Sequence, residues 1–317
     1  MPDDDTGPED PIGKARDGRT QPPRGENPFL QREAASDLRH NTALETPIAV
    51  ISFKECETRH AERVIPSEVP VNVIYGGIPF AVMMTTPSEL EDFAVGFSLT
   101  EGVIQHPDDI RDIRIEREER GLRLAVELTP SRLHEHLARK RALAGRTGCG
   151  LCGIDDLKAL PQARHPQGDA PNIALSAIHS ALLHLEQEQV LNQLTHAVHA
   201  AAWADLDGTI RCVREDVGRH NALDKLIGSI ARADTRPDGG FVVVTSRCSF
   251  ELVEKVAAFG ARTLVAISAP TSLALERARH HDITLIGIAR RDSISVFHGS
   301  ERISGKSRAC AAGDLQS

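Results

Sequence analysis

The chain has 317 residues, which is enough for two domains and a sizeable buried core. Its 37 basic and 45 acidic side chains give a formal net charge of -8, which disfavours general binding to nucleic acid or to an anionic membrane. No apolar stretch approaches the ~18 residues of a membrane span, and the acidic residues after Met1 are unlike a secretory signal. We therefore expect a cytoplasmic protein whose six cysteines are reduced thiols.

The N-terminal part of the chain combines a polar tail with a small mixed domain. Residues 1–44 are rich in Pro, Asp, Arg and Gly and have no apolar period, which is typical of a disordered tail. Gly76-Gly77 between two apolar runs indicates a hairpin, and Ser88 with Glu91 indicates a capped helix that ends before Gly102. The predicted strands lie at 48–53, 69–75, 78–84, 110–115 and 122–128, and the predicted helices at 88–101 and 131–143. These elements predict an α+β domain over residues 45–143.

Residues 144–172 contain the Cys-x-x-Cys motif of the chain, formed by Cys149 and Cys152. Four glycines lie within residues 144–153, and they prevent a regular helix or strand from continuing there. A polar stretch with three prolines follows the motif. We therefore expect a mobile loop and linker between two structural units.

The second unit, residues 173–304, is predicted from an alternation of strands and helices. Asp207-Gly208 is the strongest short hairpin signal of the chain and joins runs at 196–204 and 209–213. The later predicted strands lie at 241–245, 263–267 and 283–288, and the predicted helices at 176–191, 219–230, 249–259 and 271–279. These strands are almost continuously apolar, which indicates an α/β domain with a mostly parallel sheet covered on both faces. A second tail is expected at 305–317.

Three strand exits carry the candidate binding residues, since ligands of open parallel sheets bind beyond the carboxyl ends of the strands. The candidates are Ser246 and Arg247 at the first exit, Ser268, Thr271 and Ser272 at the second, and Arg290, Arg291, Asp292 and Ser293 at the third. Two exits lead into helices whose free N–H groups favour phosphate, and the arginines suit bidentate phosphate contacts. Asp292 suits the edge of a guanine base. The alternative is that the hydroxyl residues are only helix caps and the arginines are solvated.

The cysteine pair admits several interpretations. A structural zinc site needs four ligands, and the other cysteines are isolated, which disfavours zinc. A thioredoxin-like redox pair lies at a strand-to-helix junction, a setting that the glycine-rich segment lacks. A sulfur relay fits better, because a mobile Cys149 thiolate, favoured by Arg146, can receive sulfur as a persulfide and Cys152 can exchange with it. The remaining alternative is a pair of loop cysteines without chemistry.

His199 raises the possibility of a zinc deaminase, which uses a His-x-Glu motif and a later Pro-Cys-x-x-Cys motif. Position 201 is an alanine in place of the glutamate, and the Cys-x-x-Cys motif precedes His199 and has no proline before it. A deaminase activity is therefore disfavoured. The alternative role for His196 and His199 is a pair at the base of a hairpin that binds backbone carbonyls.

Several segments together resemble the formate dehydrogenase accessory sulfurtransferases of the FdhD/NarQ family. They are residues 147–153 (Thr-Gly-Cys-Gly-Leu-Cys-Gly), 199–201, 214–225 (Arg-Glu-Asp-Val-Gly-Arg-His-Asn-Ala-Leu-Asp-Lys), 246–255, 268–271 and 287–290. The Glu-Asp-Val-Gly-Arg-His-Asn string is the most specific of them. The similarity runs from about residue 45 to beyond the third parallel strand.

The resemblance implies a sulfur carrier that is required for formate dehydrogenase activity. On this basis Cys149 accepts sulfur from a cysteine desulfurase as a persulfide and passes it to the molybdenum bis(molybdopterin guanine dinucleotide) cofactor, for which GDP is a mimic. The cofactor-binding segment of the family corresponds to Ile288, Ala289, Arg290, Arg291, Asp292 and Ser293, with His199, Arg219 and His220 as further pocket residues. The resemblance also implies a cytidine deaminase-like C-terminal domain and a homodimer. One departure is that many relatives have glycine or asparagine after the arginine at position 290.

Overall fold

The computed structural model describes residues 42–54, 57–140 and 162–305, with the side chains of 138–140 excepted. Residues 1–41 and 306–317 of the predicted tails and the Cys-x-x-Cys motif, including Cys149 and Cys152, lie outside the described residues. The first tail was predicted to extend to residue 44, which is too far, because Ala43 and Leu44 pair with β2 as the start of the first strand. The first elements are β1 (Ala43–Ile51), β2 (Thr58–Pro66), β3 (Val69–Tyr75), β4 (Ile78–Thr85), α1 (Leu90–Thr100), β5 (Ile110–Glu118), β6 (Gly121–Leu128) and α2 (Pro130–Lys140), with a short 3-10 helix at Pro107–Asp109. β1 and β2 form a two-stranded antiparallel sheet, and the next four strands form a sheet in the order β4-β3-β6-β5.

Most of the predicted N-terminal elements are confirmed. The hairpin turns at Gly76 and Gly77, which both have positive φ values. β2 was not predicted, because its mostly polar, exposed residues give little apolar alternation. The prediction of Ser88 as a helix cap is wrong. The helix begins after Glu89, which has a φ of 45° and occupies the N-cap position, and no side chain caps it. Ser88 lies one residue too early, in a tight turn where its N–H donates to the Thr86 carbonyl (2.8 Å).

The second unit contains the larger sheet, six strands in the order β13-β12-β11-β10-β8-β9. Its elements are β7 (Ile173–Ala174), α3 (Leu175–Leu185), α4 (Val190–Thr195), β8 (His199–Asp205), β9 (Ile210–Asp216), α5 (Arg219–Arg232), β10 (Gly240–Val244), α6 (Phe250–Phe259), β11 (Thr263–Ala266), α7 (Ser272–His280), β12 (Thr284–Gly287), β13 (Ser295–His298) and β14 (Ile303–Ser304), with short 3-10 helices at Pro237–Gly239 and Ser300–Arg302. β7 and β14 pair in parallel beside this sheet.

The prediction of a mostly parallel sheet is wrong, although its three apolar strands are parallel as expected. β10 pairs in parallel with β11, and β11 with β12. The pairings of β8 with β9, of β8 with β10 and of β12 with β13 are all antiparallel. A short connection joins β8 to β9 and another joins β12 to β13, and such connections give antiparallel pairs. The crossover through α5 makes β10 run parallel to β9, and β10 is therefore antiparallel to β8, which lies between them. The fold is therefore a mixed α/β arrangement.

Helices cover both faces of the six-stranded sheet. Val242 and Val244 of β10 belong to a core cluster with apolar residues of α5, α6 and α7. Phe241 and Val243 of the same strand belong to a cluster with apolar residues of α3. Alternate residues of the strand therefore point to opposite faces, as the continuous apolar run predicts. Among the helices of the described ranges, none has the length and apolar character that crossing a membrane requires.

The single helix predicted over 176–191 is wrong, because the chain forms α3 and α4 separated by a break. The Glu215 carboxylate of β9 accepts hydrogen bonds from the N–H groups of Leu191 (2.7 Å) and Asn192 (2.8 Å) at the start of α4. The buried Gln189 side chain donates to the Leu185 carbonyl at the end of α3. Backbone groups at the two helix ends that the break creates are thus hydrogen-bonded by the Glu215 and Gln189 side chains.

The two units are joined by a close crossing of α1 with α5. A Cβ atom added at Gly96 would lie 1.7 Å from the Asp224 carbonyl oxygen, and one added at Gly228 would lie 1.8 Å from the Asp92 carbonyl oxygen. Both distances are far below van der Waals contact, so the two helix backbones touch where the glycines lie. Only glycine on each helix permits this approach.

We expect Gly96→Ala to lower the free energy of unfolding by about 3 kcal/mol, because the methyl group forces the two helices apart. Urea unfolding followed by circular dichroism measures the change. Gly239→Ala is the matched control, since a Cβ atom at Gly239 meets nothing within 4 Å. A Gly96→Ala variant as stable as the control would contradict the tight crossing.

Candidate functional site

The candidate binding residues gather at one edge of the six-stranded sheet. β8 begins at His199, which lies opposite Asp216 at the end of β9. This start of β8 lies beside the exit of β10, because Ala201 pairs with Val244. The exits of β10, β11 and β12 reach the same edge, since these strands run parallel. The structure thus brings His199 and the start of α5 next to the three strand exits.

Backbone hydrogen bonds join the exits into one surface. The N–H of Thr271 donates to the Cys248 carbonyl (3.0 Å), which links the second exit to the first. The N–H of Ile288 donates to the Ser268 carbonyl (3.1 Å), which links the third exit to the second. The loops that follow the three strands therefore hold fixed positions relative to one another.

Two helix N-termini at this edge lack a side-chain cap. The N-cap residues of α5 and α6 are Gly218 and Ser249, and neither side chain accepts a hydrogen bond from its helix. α7 differs, because the Thr271 side chain accepts a hydrogen bond from the Ala274 N–H. Thr271 is therefore a helix cap, as the alternative to a binding role predicted. The free N–H groups and the positive dipole ends of α5 and α6 favour an anion such as phosphate.

Arg219 and His220, in the first turn of α5, lie near His199. Burial and the Arg219 charge lower the pKa of His199 below its usual range, although Asp216 opposes them. His199 is therefore neutral at neutral pH, so that its ring offers one donor and one acceptor. Arg219 Nε and His220 Nε2 are buried and have no hydrogen-bond partner among the described residues. A polar ligand at this edge could supply the missing partners.

Glu251, in the first turn of α6, faces His220 across the gap between the two helices. Its Oε2 atom lies 3.7 Å from His220 Nε2. Burial by itself raises the pKa of the Glu251 carboxyl, but the His220 and Ser249 side chains outweigh burial and lower that pKa to about 2. Glu251 is therefore ionised at neutral pH. Sequence reasoning missed this residue, because a glutamate in a first helical turn is typical of a simple helix-dipole partner.

The third exit begins with a strained residue. Ile288 has a φ of 52°, in the left-handed region that β-branched residues rarely adopt, and its side chain is 39% exposed. Ala289 is buried and its N–H donates to the Ala266 carbonyl (3.2 Å), so this predicted binding residue offers no exposed group to a ligand. Asp292 and Ser293 are exposed, and the Ser293 carbonyl accepts a hydrogen bond from the Arg290 N–H (2.8 Å). The turn at residues 290–293 thus presents polar groups at the edge.

The arginines of the exits differ in their partners. The exposed Arg290 guanidinium donates to backbone carbonyls, one of them at the second exit. Arg291 forms an exposed ion pair with Glu186. Arg247 is exposed and has no ion pair within the described ranges, while the buried Ser246 donates its hydroxyl to the Arg247 carbonyl. Arg247 is consequently the most available of the three arginines for binding an anion. Arg290 and Arg291 would first have to break their present contacts.

A buried ion pair holds the start of α5 in place. Lys225 Nζ lies 2.7 Å from Asp216 Oδ2, and neither side chain is exposed. The Asp216 carboxylate also accepts hydrogen bonds from the N–H groups of Thr86 (3.0 Å) and Gly218 (2.8 Å) and from the Asn221 amide (3.0 Å). Lys225 donates to the Thr86 carbonyl (3.0 Å). Because Thr86 follows β4, this network ties the first unit to the N-terminus of α5.

Two more charged networks cross the same interface. Lys255 Nζ lies 2.9 Å from Asp224 Oδ2 in one of them. In the other, Arg214 and Arg232 both bind Asp92 of α1. Sequence reasoning assigned no role to these residues, since the pairs join elements far apart in the chain and no local pattern reveals them.

A cavity of about 580 Å³ lies away from the strand exits. The ends of α1 and α6 and residues 162–167, which follow the Cys-x-x-Cys segment, line it. Glu254 accepts a hydrogen bond from the Ala163 N–H (2.5 Å) at its wall. The cavity thus lies at the C-terminal end of α6, whereas the candidate site lies at its N-terminal end.

The described cysteines are poor candidates for sulfur chemistry. Cys212 and Cys248 are free thiols, and burial raises the pKa of Cys248 to about 12. A thiol with that pKa is not ionised at neutral pH and is therefore a poor nucleophile. Within residues 42–54, 57–140 and 162–305, no group of three or more His, Cys, Asp or Glu side chains is arranged to hold a metal ion. The roles of Cys149 and Cys152 stay predictions.

Comparison with known proteins relates the whole architecture to one family. A model of the FdhD/NarQ family matches residues 66–304. Proteins named Sulfur carrier protein FdhD are 46% identical over 239 residues in Xanthomonas euvesicatoria (75% of this chain, 85% of the relative) and 41% identical over 278 residues in Cupriavidus necator (88% and 96%).

A solved structure extends the similarity to the fold. A crystal structure of a formate dehydrogenase accessory protein from Desulfotalea psychrophila has a TM-score of 0.66 to this chain at 25% sequence identity, and the alignment covers 83% of this chain and 99% of that one. The family match includes the four-stranded and six-stranded sheets and the Glu-Asp-Val-Gly-Arg-His-Asn string. Since the family model matches most of the chain and relatives above 40% identity match along most of their length, this chain belongs to the FdhD/NarQ family.

Proposed function

We propose that this protein is a cytoplasmic sulfur carrier required for formate dehydrogenase activity. It accepts sulfur from a cysteine desulfurase as a persulfide on Cys149 and transfers it to the molybdenum bis(molybdopterin guanine dinucleotide) cofactor before the cofactor enters the enzyme. Relatives named sulfur carrier proteins and a structural neighbour that is a formate dehydrogenase accessory protein support this class of function. In this proposal the protein acts as a sulfurtransferase and is a homodimer.

The observation that carries the proposal is the edge where the uncapped N-termini of α5 and α6 meet the three strand exits. The cofactor is the substrate, and its phosphates would bind the helix N-termini with Arg219, His220 and Arg247. The buried and unpaired Nε of Arg219 suits this role. A guanine would bind along residues 288–293, where Ile288 presents an exposed apolar side chain and Asp292 an acceptor.

The sulfur step requires a thiolate. The Cys149 thiolate attacks the terminal sulfur of the desulfurase persulfide, a new S–S bond forms at Cys149, and the desulfurase cysteine leaves as a thiolate. Arg146 favours the thiolate form of Cys149 by its positive charge. Cys152, three residues further on, is the partner for later thiol exchange. The Cys152 thiolate attacks the inner sulfur at Cys149, so that a Cys149–Cys152 disulfide forms and the terminal sulfur leaves as hydrosulfide, the form in which the molybdenum of the cofactor would accept it. A cellular thiol reductant then restores the two cysteines.

Mass spectrometry tests the sulfur step directly. After incubation with a cysteine desulfurase and cysteine, we expect one added sulfur atom on the peptide that contains Cys149, and we expect a reducing agent to remove it. Cys212 and Cys248 are internal controls, because one is partly buried and the other has a raised pKa. Added sulfur only on those two cysteines, or on none, would refute the proposed carrier role.

A further inference from the structure

The first turns of α5 and α6 meet through one pair of side chains, His220 and Glu251. His220 is the second residue of α5, and Glu251 is the second residue of α6. Their side chains are only 13% and 12% exposed, and 3.7 Å separates His220 Nε2 from Glu251 Oε2. The pair therefore lies between the two uncapped helix N-termini where an anion is expected to bind.

The contact leaves His220 incompletely paired. At 3.7 Å the two atoms are within ion-pair distance but beyond hydrogen-bond distance. Nε2 is buried and has no hydrogen-bond partner within the described part of the chain. Catalytic and binding-site hydrogen bonds are often long in the absence of ligand and shorten on binding. Nε2 thus faces the Glu251 carboxylate, and Nδ1 is the ring nitrogen that remains for a ligand.

The charges around the pair favour an anionic ligand. Arg219 precedes His220 in α5, and His199 of β8 lies close enough for both residues to lower its pKa. The opposing charges are Glu251 on α6 and Asp216 at the end of β9, and Lys225 neutralises Asp216. Glu251 is thus the anion of this cluster that lacks a strong cationic partner.

We propose that Glu251 is a positioning residue of the cofactor site, which orients His220 so that its Nδ1–H donates to a phosphate of the guanine nucleotide. This inference rests on the proposed function, because it takes the strand-exit edge as the site of the nucleotide. Glu251 acts through His220 and does not touch the ligand itself. The substrate feature that the pair recognises is a phosphate of the dinucleotide, independent of the molybdenum.

A solely structural role for Glu251 predicts different behaviour. A carboxylate in the first turn of α6 stabilises the helix through its dipole, whether or not His220 is present. Its replacement would then lower stability and weaken ligand binding to the same extent whether or not His220 is present. A positioning role instead makes the effect of Glu251 on ligand binding depend on the presence of His220.

GDP binding measured by calorimetry on four full-length proteins, the wild type, the two single variants and the double variant, distinguishes the two roles. Glu251→Gln is expected to weaken binding about tenfold, a typical effect of losing a residue that orients a ligand group. His220→Asn is expected to weaken binding at least as much, and adding Glu251→Gln to it is expected to change little.

Glu276→Gln is the matched control, because Glu276 is exposed on α7 and has no ion pair within the described ranges; it should bind GDP as the wild type does. If the wild type does not bind GDP, the proposed cofactor site is wrong. If the wild type binds but Glu251→Gln keeps its affinity, only the positioning role is overturned. A loss from Glu251→Gln that is as large in the His220→Asn background as in the wild type would also overturn it.

Discussion

Replacing Cys149 by alanine is expected to abolish activation of the client formate dehydrogenase, with GDP binding at the strand exits unchanged. The change removes the one sulfur atom that would carry the persulfide, so the expected loss is complete. GDP binding should persist, because the candidate binding residues belong to the strand exits and the starts of α5 and α6. Formate dehydrogenase activity is measured in cells that lack the native carrier and express the variant.

The control for Cys149→Ala is Cys212→Ser, which replaces a described thiol on β9. We expect this control variant to activate the client as the wild type does. The rival function is a chaperone that only holds the cofactor, and it predicts that Cys149→Ala retains activation. Retained activation together with intact GDP binding would therefore favour the chaperone over the carrier.

Lys225→Met is expected to lower the free energy of unfolding by about 3–5 kcal/mol, the usual cost of breaking a buried ion pair from one side. Lys225 and Asp216 are both fully buried, so removal of the ammonium leaves the Asp216 carboxylate without its counter-charge. The carboxylate also fixes Gly218, the N-cap of α5, and we therefore expect GDP affinity to fall in parallel. Urea unfolding and calorimetry measure the two effects.

The double variant Asp216→Asn with Lys225→Met tests the cause of this effect. We expect it to recover part of the lost stability, because an amide without charge replaces the uncompensated carboxylate. Lys54→Met serves as the control for loss of a lysine, since Lys54 is exposed. A Lys225→Met variant that is no less stable than Lys54→Met would show that the pair does not support the interface.

The most specific string of the sequence combines two kinds of residue that the structure separates. Asp216 and Asn221 are buried and support the junction between β4, β9 and α5. Arg219 and His220 lie at the N-terminus of α5, beside the strand exits. The string therefore both stabilises the start of α5 and contributes residues to the candidate site. We expect substitution of its buried residues to lower stability and ligand affinity together.

Local sequence patterns predicted the elements whose burial is regular along the chain. β10 and β11 are continuous apolar runs because both faces of the sheet are covered, and such a run can be recognised without knowing the neighbours. β2 was missed because most of its residues are exposed and polar. The break between α3 and α4 was also missed, because the Glu215 carboxylate that binds the start of α4 comes from a strand more than 20 residues later.

The sequence by itself determined the central βαβαβ unit, the candidate phosphate-binding exits and the membership of the FdhD/NarQ family, because these depend on periodicity and on contiguous motifs. Tertiary structure decided the antiparallel flanks of the sheet and the glycine crossing of α1 with α5. The tertiary structure also determined the buried ion pair of Asp216 with Lys225 and the contact of His220 with Glu251. The physical reason is that each of these features needs a partner distant in the chain, whose position follows only from packing of the two units.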